Sequence, residues 1–516
     1  MKKVCTKKDV SRVLIAIAAV SLIFASCGPG GAPRTDSLIV VSIAGQPSSL
    51  DPIMANDLAS AEMKTQIFNT LFDQDSVTMA IMPALAERYQ FENDANGQPT
   101  LLRVFLRPGV RFHNGDYMTA QDVRFSIERA AGSPIVSHIS GSIARAEVTG
   151  DNEVLITLRF PFAPILNNLA HPAMSIVSER AVLERGADFG RNPIGTGPLM
   201  FVNWFAGNRI ELARWDGYFG ELPRIREVTI RYISDPATAL LELETGGADI
   251  LFPVVPQDIR RIETDPNLQL VRATGLRLNF IGFNNLRPPL DNVLVRRAIA
   301  HAVDKEALVN AVFMGVGRPG NAPITATVWA SAAGQLPPRE FNPELSRQLL
   351  AQAGFPNGFS TTISAADIPT TRDTATILQS MLAQVGINAE ILIHETATWV
   401  QFSADGLHDI GVHSWTTITG DPDYGLEILH SRSHGGAGNR AFFTNAEVDR
   451  LLDAGRVETN AALRQQIYFE VQRIIHEETP WIYKQEDEVV VALRSNIRGF
   501  TINPGGLHPF WNVYFE

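Results

Sequence analysis

Along this chain the apolar positions change period repeatedly, from two to about 3.6 and back, which predicts strands interleaved with helices. Residues 37–43 are a β-branched run and 101–106 an extended one, so both read as strands. Between them Ile67, Phe68 and Leu71 share one face, predicting a helix over 63–72. Thr119-Ala-Gln-Asp122 is a capping box that opens a helix over 123–131, and Gly132 closes it. Residues 226–233 alternate as a strand. Asp235-Pro236 then starts a helix with proline in its first turn, and Gly246-Gly247 stops it. A second box, Thr444-Asn-Ala-Glu447, opens a helix over 448–454. Over 461–477 a stripe of Leu463, Ile467, Val471, Ile474 and Ile475 runs until Pro480 ends it. Strands separated by helices argue for an α/β fold with partly parallel sheets. No internal repeat is visible.

The first 36 residues follow another pattern. Lys2, Lys3, Lys7, Lys8 and Arg12 precede an apolar run over 13–25, and Ala25-Ser26 precede Cys27. That run is shorter than the roughly 20 residues a spanning helix needs. Charged head, short apolar segment and small residues read as an export signal over 1–26. A cysteine beside the break is the pattern of bacterial lipoprotein processing, which makes Cys27 the expected lipidation site, although Phe24 stands where such signals usually carry leucine. Residues 27–36 are rich in Gly and Pro and read as a flexible tether. No further run of 18 apolar residues follows. The expectation is a water-soluble body, lipid-anchored to a bacterial membrane and facing the periplasm or the cell exterior.

Composition narrows the chemistry. The 516 residues are 45% apolar, enough for several cores. Against 44 Lys and Arg stand 55 Asp and Glu, a net charge of −11 that argues against nucleic acid as a partner. Cys5 and Cys27 are the only cysteines, so the body has no disulfide framework, cysteine nucleophile or thiolate zinc site. The chain also lacks a Gly-x-Ser-x-Gly elbow, a Walker loop and a His-Glu-x-x-His motif. These absences weigh against an enzyme: no catalytic residue and no cofactor is expected, a surface hydrolase being the remote alternative.

A series of short blocks carries a resemblance. In order, they are Ser48-Ser-Leu-Asp-Pro52, Ile67-Phe-Asn-Thr-Leu71, Met82-Pro-Ala-Leu-Ala-Glu87 and Phe105-Leu-Arg-Pro-Gly-Val-Arg-Phe-His-Asn-Gly-Asp116. Ala120-Gln-Asp-Val123, Gly195-Thr-Gly-Pro198, Asn279-Phe-Ile-Gly-Phe-Asn284, Arg296-Arg-Ala-Ile-Ala300 and Gly420-Asp-Pro-Asp423 continue the series. Each is weak alone; together they resemble the family 5 extracellular solute-binding proteins, receptors of oligopeptide, dipeptide and nickel ABC importers. The resemblance implies a two-lobed periplasmic-binding-protein type II fold with an inserted third subdomain. It implies lobe I over 37–76, 190–278 and 489–516, the insertion over 77–189, and lobe II over 279–488. Two strands joining the lobes would act as a hinge around a buried ligand, and the partners would be a small peptide or other solute and the ABC permease and ATPase subunits. The protein would act as a monomer. Within the Phe105 block, Pro108-Gly109 and Asn114-Gly115 read as turns of a hairpin-like unit. His113 reads there as a structural histidine, and Arg107 and Arg111 as scaffold.

By the same resemblance, ligand-binding residues are expected at Trp415, Thr416, Thr417, Asp421, Asp423 and Arg372. Peptide-binding members carry an Asp three residues after a cleft Trp; here that position is Ile418. A buried ammonium needs a partner, so Asp421 or Asp423 is the candidate amine anchor, with turn formation the alternative role. Arg372 suits a ligand carboxylate bidentately or is simply exposed at a helix start. His394, His408, His413, His430 and His434 fall close together, and nickel receptors likewise lack the Asp. His430 and His434 are thus weak metal candidates, although Gly435-Gly436 after them predicts a solvated loop. Peptide is the expected cargo, with a nickel or other metal chelate, or an oligosaccharide, as the alternative.

Overall fold

A computed structural model describes residues 36–516, apart from 56, 76, 77, 436 and 437. The export segment, Cys27 and nearly all of the tether lie outside the described residues. One ten-stranded sheet runs through the molecule. Its strand order is Asn388–His394, Ser360–Ala366, Ile410–Thr416, Leu268–Phe283, Trp481–Arg494, Ile250–Phe252, Ser37–Ser42, Glu227–Tyr232, Arg209–Arg214 and Leu199–Phe205. Ser37–Ser42 pairs in parallel with both its neighbours, and so does Ser360–Ala366. The central pair is antiparallel. The chain is thus α/β with partly parallel pairing.

Two long strands, Leu268–Phe283 and Trp481–Arg494, connect the two halves of this sheet. Their pairing breaks twice, between Thr274 and Leu278 and between Asn279 and Phe280. At the second break Lys484 is the extra residue, since Gln485 pairs with Asn279 and Tyr483 with Phe280. On one side of the breaks the sheet is covered by a core around Leu240, Leu243 and Ile262 and by another that includes Leu38, Ile230 and Phe510. On the other side, two cores form around Ile299, Leu378 and Ile410, and around Leu426, Tyr468 and Val471. These are the two lobes of the type II fold. A separate antiparallel sheet of Ala86–Glu92, Leu101–Leu106, Glu153–Leu158 and Ile143–Gly150 belongs to the insertion. It shares one apolar core with the first lobe, through Leu102, Val104 and Ile156 packed with Leu38 and Leu199.

Local signals placed most elements. Thr119 and Asp122 close both bonds of the capping box that opens Ala120–Ala131, and Asp235 caps Pro236–Glu244. Other elements differ from the expectation. The helix near 63–72 is Leu58–Ile67, capped by Asp57, and Phe72 begins a strand instead. The Ile67 carbonyl accepts from the Gly197 N–H at 2.8 Å rather than from a next helical turn, so the chain leaves the helix there. Gly195 and Gly197 permit this crossing; a Cβ on Gly195 would meet the Ile67 oxygen at 2.1 Å. His113 seals the same crossing: its backbone N–H donates to the Gly195 carbonyl at 2.9 Å and its ring Nε2 lies 3.0 Å from the Gly197 carbonyl. Burial pushes its pKa down to about 4, so the ring is a neutral donor. Three sequence blocks therefore meet at one scaffold joint.

The second box also shifts. Asn445, not Thr444, caps Ala446–Val457, because its side chain accepts from both Glu447 and Val448 N–H groups. In Ala461–Glu478 the buried face holds Arg464, Tyr468, Val471, Gln472 and Ile475, while Leu463 is exposed. The helix is turned by about one residue relative to its apolar stripe, because Arg464 is drawn inward by a buried carboxylate.

Candidate functional site

A cavity of about 540 Å³ lies between the lobes. The first lobe lines it with Leu58, Lys64, Asn503 and Leu507, the insertion with His138, His171 and Pro172, and the second lobe with Thr416, Ile418 and Tyr424. A neighbouring cavity of about 270 Å³ shares Gln74, His171, Ile418 and Asn503 and extends to Asp73 and Trp511. The loop after Ile410–Thr416 reaches across: the Thr419 carbonyl accepts from Gln74 Nε2 and from Asn167 Nδ2, the latter at 3.2 Å. Ile418, standing where peptide receptors carry an Asp, packs on the first lobe's core.

Of the expected site residues, Thr416 borders the cleft. Trp415 does not, which corrects the expectation that it walls the ligand space. It lines a separate cavity of about 160 Å³ with Phe280 and Trp481. It supports the cleft from behind: its ring stacks on Tyr424 at 5.7 Å and its Nε1 donates to the Tyr424 carbonyl at 3.3 Å. Tyr424 is the aromatic wall. Thr417 is buried, its N–H donating to the Leu276 carbonyl at 3.0 Å.

The two acids are committed elsewhere. Asp421 is buried and receives both terminal nitrogens of Arg464, at 2.6 and 2.7 Å. It also accepts from the Asp423 N–H at 2.9 Å, capping Pro422–Leu426. Asp423 takes a fork from Arg456, at 3.1 and 3.2 Å, and the Tyr468 hydroxyl at 3.2 Å. Burial pushes the Asp423 pKa up, and Arg456 works against that rise. The expectation that either acid anchors an amine is revised on this ground: each carboxylate is already neutralised by an arginine. Asp421 and Arg464 instead edge a further cavity of about 270 Å³ together with Met79, Tyr89 and Trp329.

The family model described as bacterial extracellular solute-binding proteins, family 5 Middle, matches residues 80–437. This chain belongs to that family. The glutathione-binding protein GsiB of Pectobacterium atrosepticum is 30% identical over 483 residues, covering 91% of this chain and 93% of its own. HbpA2 of Haemophilus parasuis superposes with a TM-score of 0.87 at 28% identity, over 93% of this chain and 100% of that one. DppA of Helicobacter pylori, solved with the peptide STSA, gives a TM-score of 0.72 at 26% identity, over 93% and 99% of the two chains. Family 5 proteins are binding receptors and are exported.

Within this family 5 receptor, the remaining candidates lie off the cleft. Arg372, in Pro369–Ala383, is half-exposed and pairs with Asp367 at 2.8 Å. His430 is buried rather than in a solvated loop, with Nδ1 3.2 Å from Asp449, and His434 Nε2 lies 3.0 Å from the Phe443 carbonyl. His394, His408 and His413 surround Trp399, with ring centroids 5.9, 5.7 and 5.0 Å from it. Burial holds His408 and His413 well below the usual imidazole range. Among the described residues no group of three or more His, Cys, Asp or Glu is placed to hold a metal ion.

Sequence reasoning missed Lys64, His138, His171, Tyr424 and the C-terminal Asn503–Leu507 stretch. Only Lys64 left a local signal, a lysine between Met63 and Ile67 on an otherwise apolar helix face.

Proposed function

We propose that this protein captures short peptides between its lobes for an ABC importer, delivering them to the permease while the ATPase subunits drive transport. The observation that carries the reading is the interlobe cavity. Its apolar contacts, Tyr424, Ile418 and Leu507, accommodate varied side chains, and its sparse polar groups, Thr416, Asn503, Lys64 and His171, orient a backbone. The named cargo of relatives supports it: glutathione for GsiB and the peptide STSA for DppA.

The lobes we assign are 37–76, 190–278 and 489–516 for the first, 77–189 for the insertion and 279–488 for the second. The two breaks in the central strand pair fall near these junctions and serve as the hinge. Anchoring through Cys27 and a monomeric state complete the proposal.

The test is a thermal-shift screen of the purified body with tripeptides, nickel chelates and short oligosaccharides. A ligand that binds only the folded form stabilises it by about 2.7 kcal/mol at 100 times Kd. Stabilisation by peptides supports the reading; stabilisation by chelates or saccharides alone replaces it.

A further inference from the structure

Lys64 is 1% exposed yet borders the interlobe cavity. Its Nζ donates to the Pro52 carbonyl at 3.1 Å and the Ala55 carbonyl at 2.9 Å. An ammonium has three N–H groups, so one remains. No carboxylate pairs with it among the described residues. The two that act on it electrostatically are Asp51 and Asp57. Asp51 is held by a fork from Arg129 at 2.7 and 2.6 Å. Asp57 accepts from the Ser48 and Ser60 hydroxyls and the Ser60 N–H. A buried cation lacking a close counter-ion is costly, and burial pulls the Lys64 pKa down to about 8, which still leaves it charged at neutral pH.

His171 borders the same cavity. Its Nδ1 accepts from the Ala173 N–H at 3.2 Å, so the neutral ring carries its proton on Nε2. Burial and the nearby charges of His138 and Lys64 push its pKa well down, which keeps it in that neutral donor form. This wall therefore holds two donors, an ammonium with one N–H not engaged by the fold and one imidazole N–H. Among the described residues lining this cavity the one carboxylate is Asp57, which already accepts three hydrogen bonds.

We propose that Lys64 and His171 form a carboxylate-receiving corner of the cleft, where a carboxylate of the bound peptide supplies the counter-ion that the fold does not. The proposal rests on the peptide reading above and adds the ligand group on which recognition turns. The group is either a C-terminal or a side-chain carboxylate, since both present the same two oxygens.

Three probes separate these cases in calorimetric titration: Ala-Leu-Ala with a free C-terminus, its C-terminal amide, and the C-terminal amide of Ala-Glu-Ala. At least one carboxylate-bearing probe is expected to bind about tenfold or more tightly than the Ala-Leu-Ala amide, and which one identifies the source. That preference is expected to vanish in Lys64→Met and to shrink in His171→Phe, which leaves the Lys64 contacts to Pro52 and Ala55 intact should Lys64→Met fail to fold. Equal affinity for all three probes, or a preference that survives both substitutions, overturns the corner while leaving peptide capture standing. Absence of binding by every probe overturns both.

Discussion

Asp421 and Arg464 face each other inside the second lobe through two hydrogen bonds of 2.6 and 2.7 Å, with both side chains almost wholly buried. The pair explains two features at once. It turns Ala461–Glu478 so that an arginine replaces Leu463 on the buried face, and it ties that helix to the start of Pro422–Leu426, which bears Tyr424. The cleft wall is thus braced from behind by charge. Asp421 offsets the burial of Arg464 and holds the guanidinium above its ordinary pKa.

Asp421→Asn is expected to lower stability by about 3–5 kcal/mol, because Arg464 keeps its buried charge without a partner. Urea denaturation checks this. An unchanged midpoint combined with lost peptide affinity would return Asp421 to the role of amine anchor.

Tyr424 is expected to contribute to binding more than to folding. Tyr424→Ala removes the aromatic wall that Trp415 supports and should weaken ligand affinity by about 1–3 kcal/mol, with a smaller loss of thermal stability. Titration of the variant with the best ligand from the screen decides it; wild-type affinity would show that the wall is not in contact.

Gly195→Ala probes the scaffold joint. The added Cβ would lie 2.1 Å from the Ile67 oxygen, a backbone atom that cannot step aside cheaply. A loss of about 3 kcal/mol or more is expected, since overpacking alone costs about 1–3 and the Gly197 to Ile67 bond would be strained as well. Chemical denaturation measures it.

Lys484, the extra residue at the second break of the central strand pair, gives a pH signature. It is buried, its Nζ donates to Thr374 Oγ1 at 3.0 Å, and burial pulls its pKa down to about 7. The unfolded chain binds this proton up to about pH 10.4, whereas the folded one releases it near 7. Its contribution to stability is therefore least favourable below pH 7 and rises between there and about pH 10. Lys484→Met removes that dependence. Its stability relative to wild type should be highest near pH 6 and fall by a few kcal/mol toward pH 10, as read by urea denaturation across that range. A difference independent of pH would mean that Lys484 stays charged in the fold.

Cys27→Ala tests the anchor. The processed wild type is expected in the membrane fraction and the variant in the aqueous fraction or unprocessed. Equal partition into the membrane would remove the lipid anchor from the proposal.

What the chain determined by itself is what short-range chemistry can encode. Thr119 with Asp122, and Asp235 with Pro236, set helix starts because the groups they satisfy lie within one turn. The ordered blocks from Ser48 to Asp423 specified the family and with it the two-lobed fold. Tertiary structure decided the rest. Helix Leu58–Ile67 ends at Ile67 because a glycine 130 residues later takes its carbonyl. Trp415 stands behind the cleft because the later Tyr424 stacks on its ring and lines the cavity instead. Asp421 and Asp423 lose their candidacy because Arg464 and Arg456, each over 30 residues away, reach them first. Lys64 and His171 come together only where the lobe and the insertion meet. Ion pairing, desolvation and donor count in a cleft depend on neighbours distant in sequence, and no local pattern records which of them arrive.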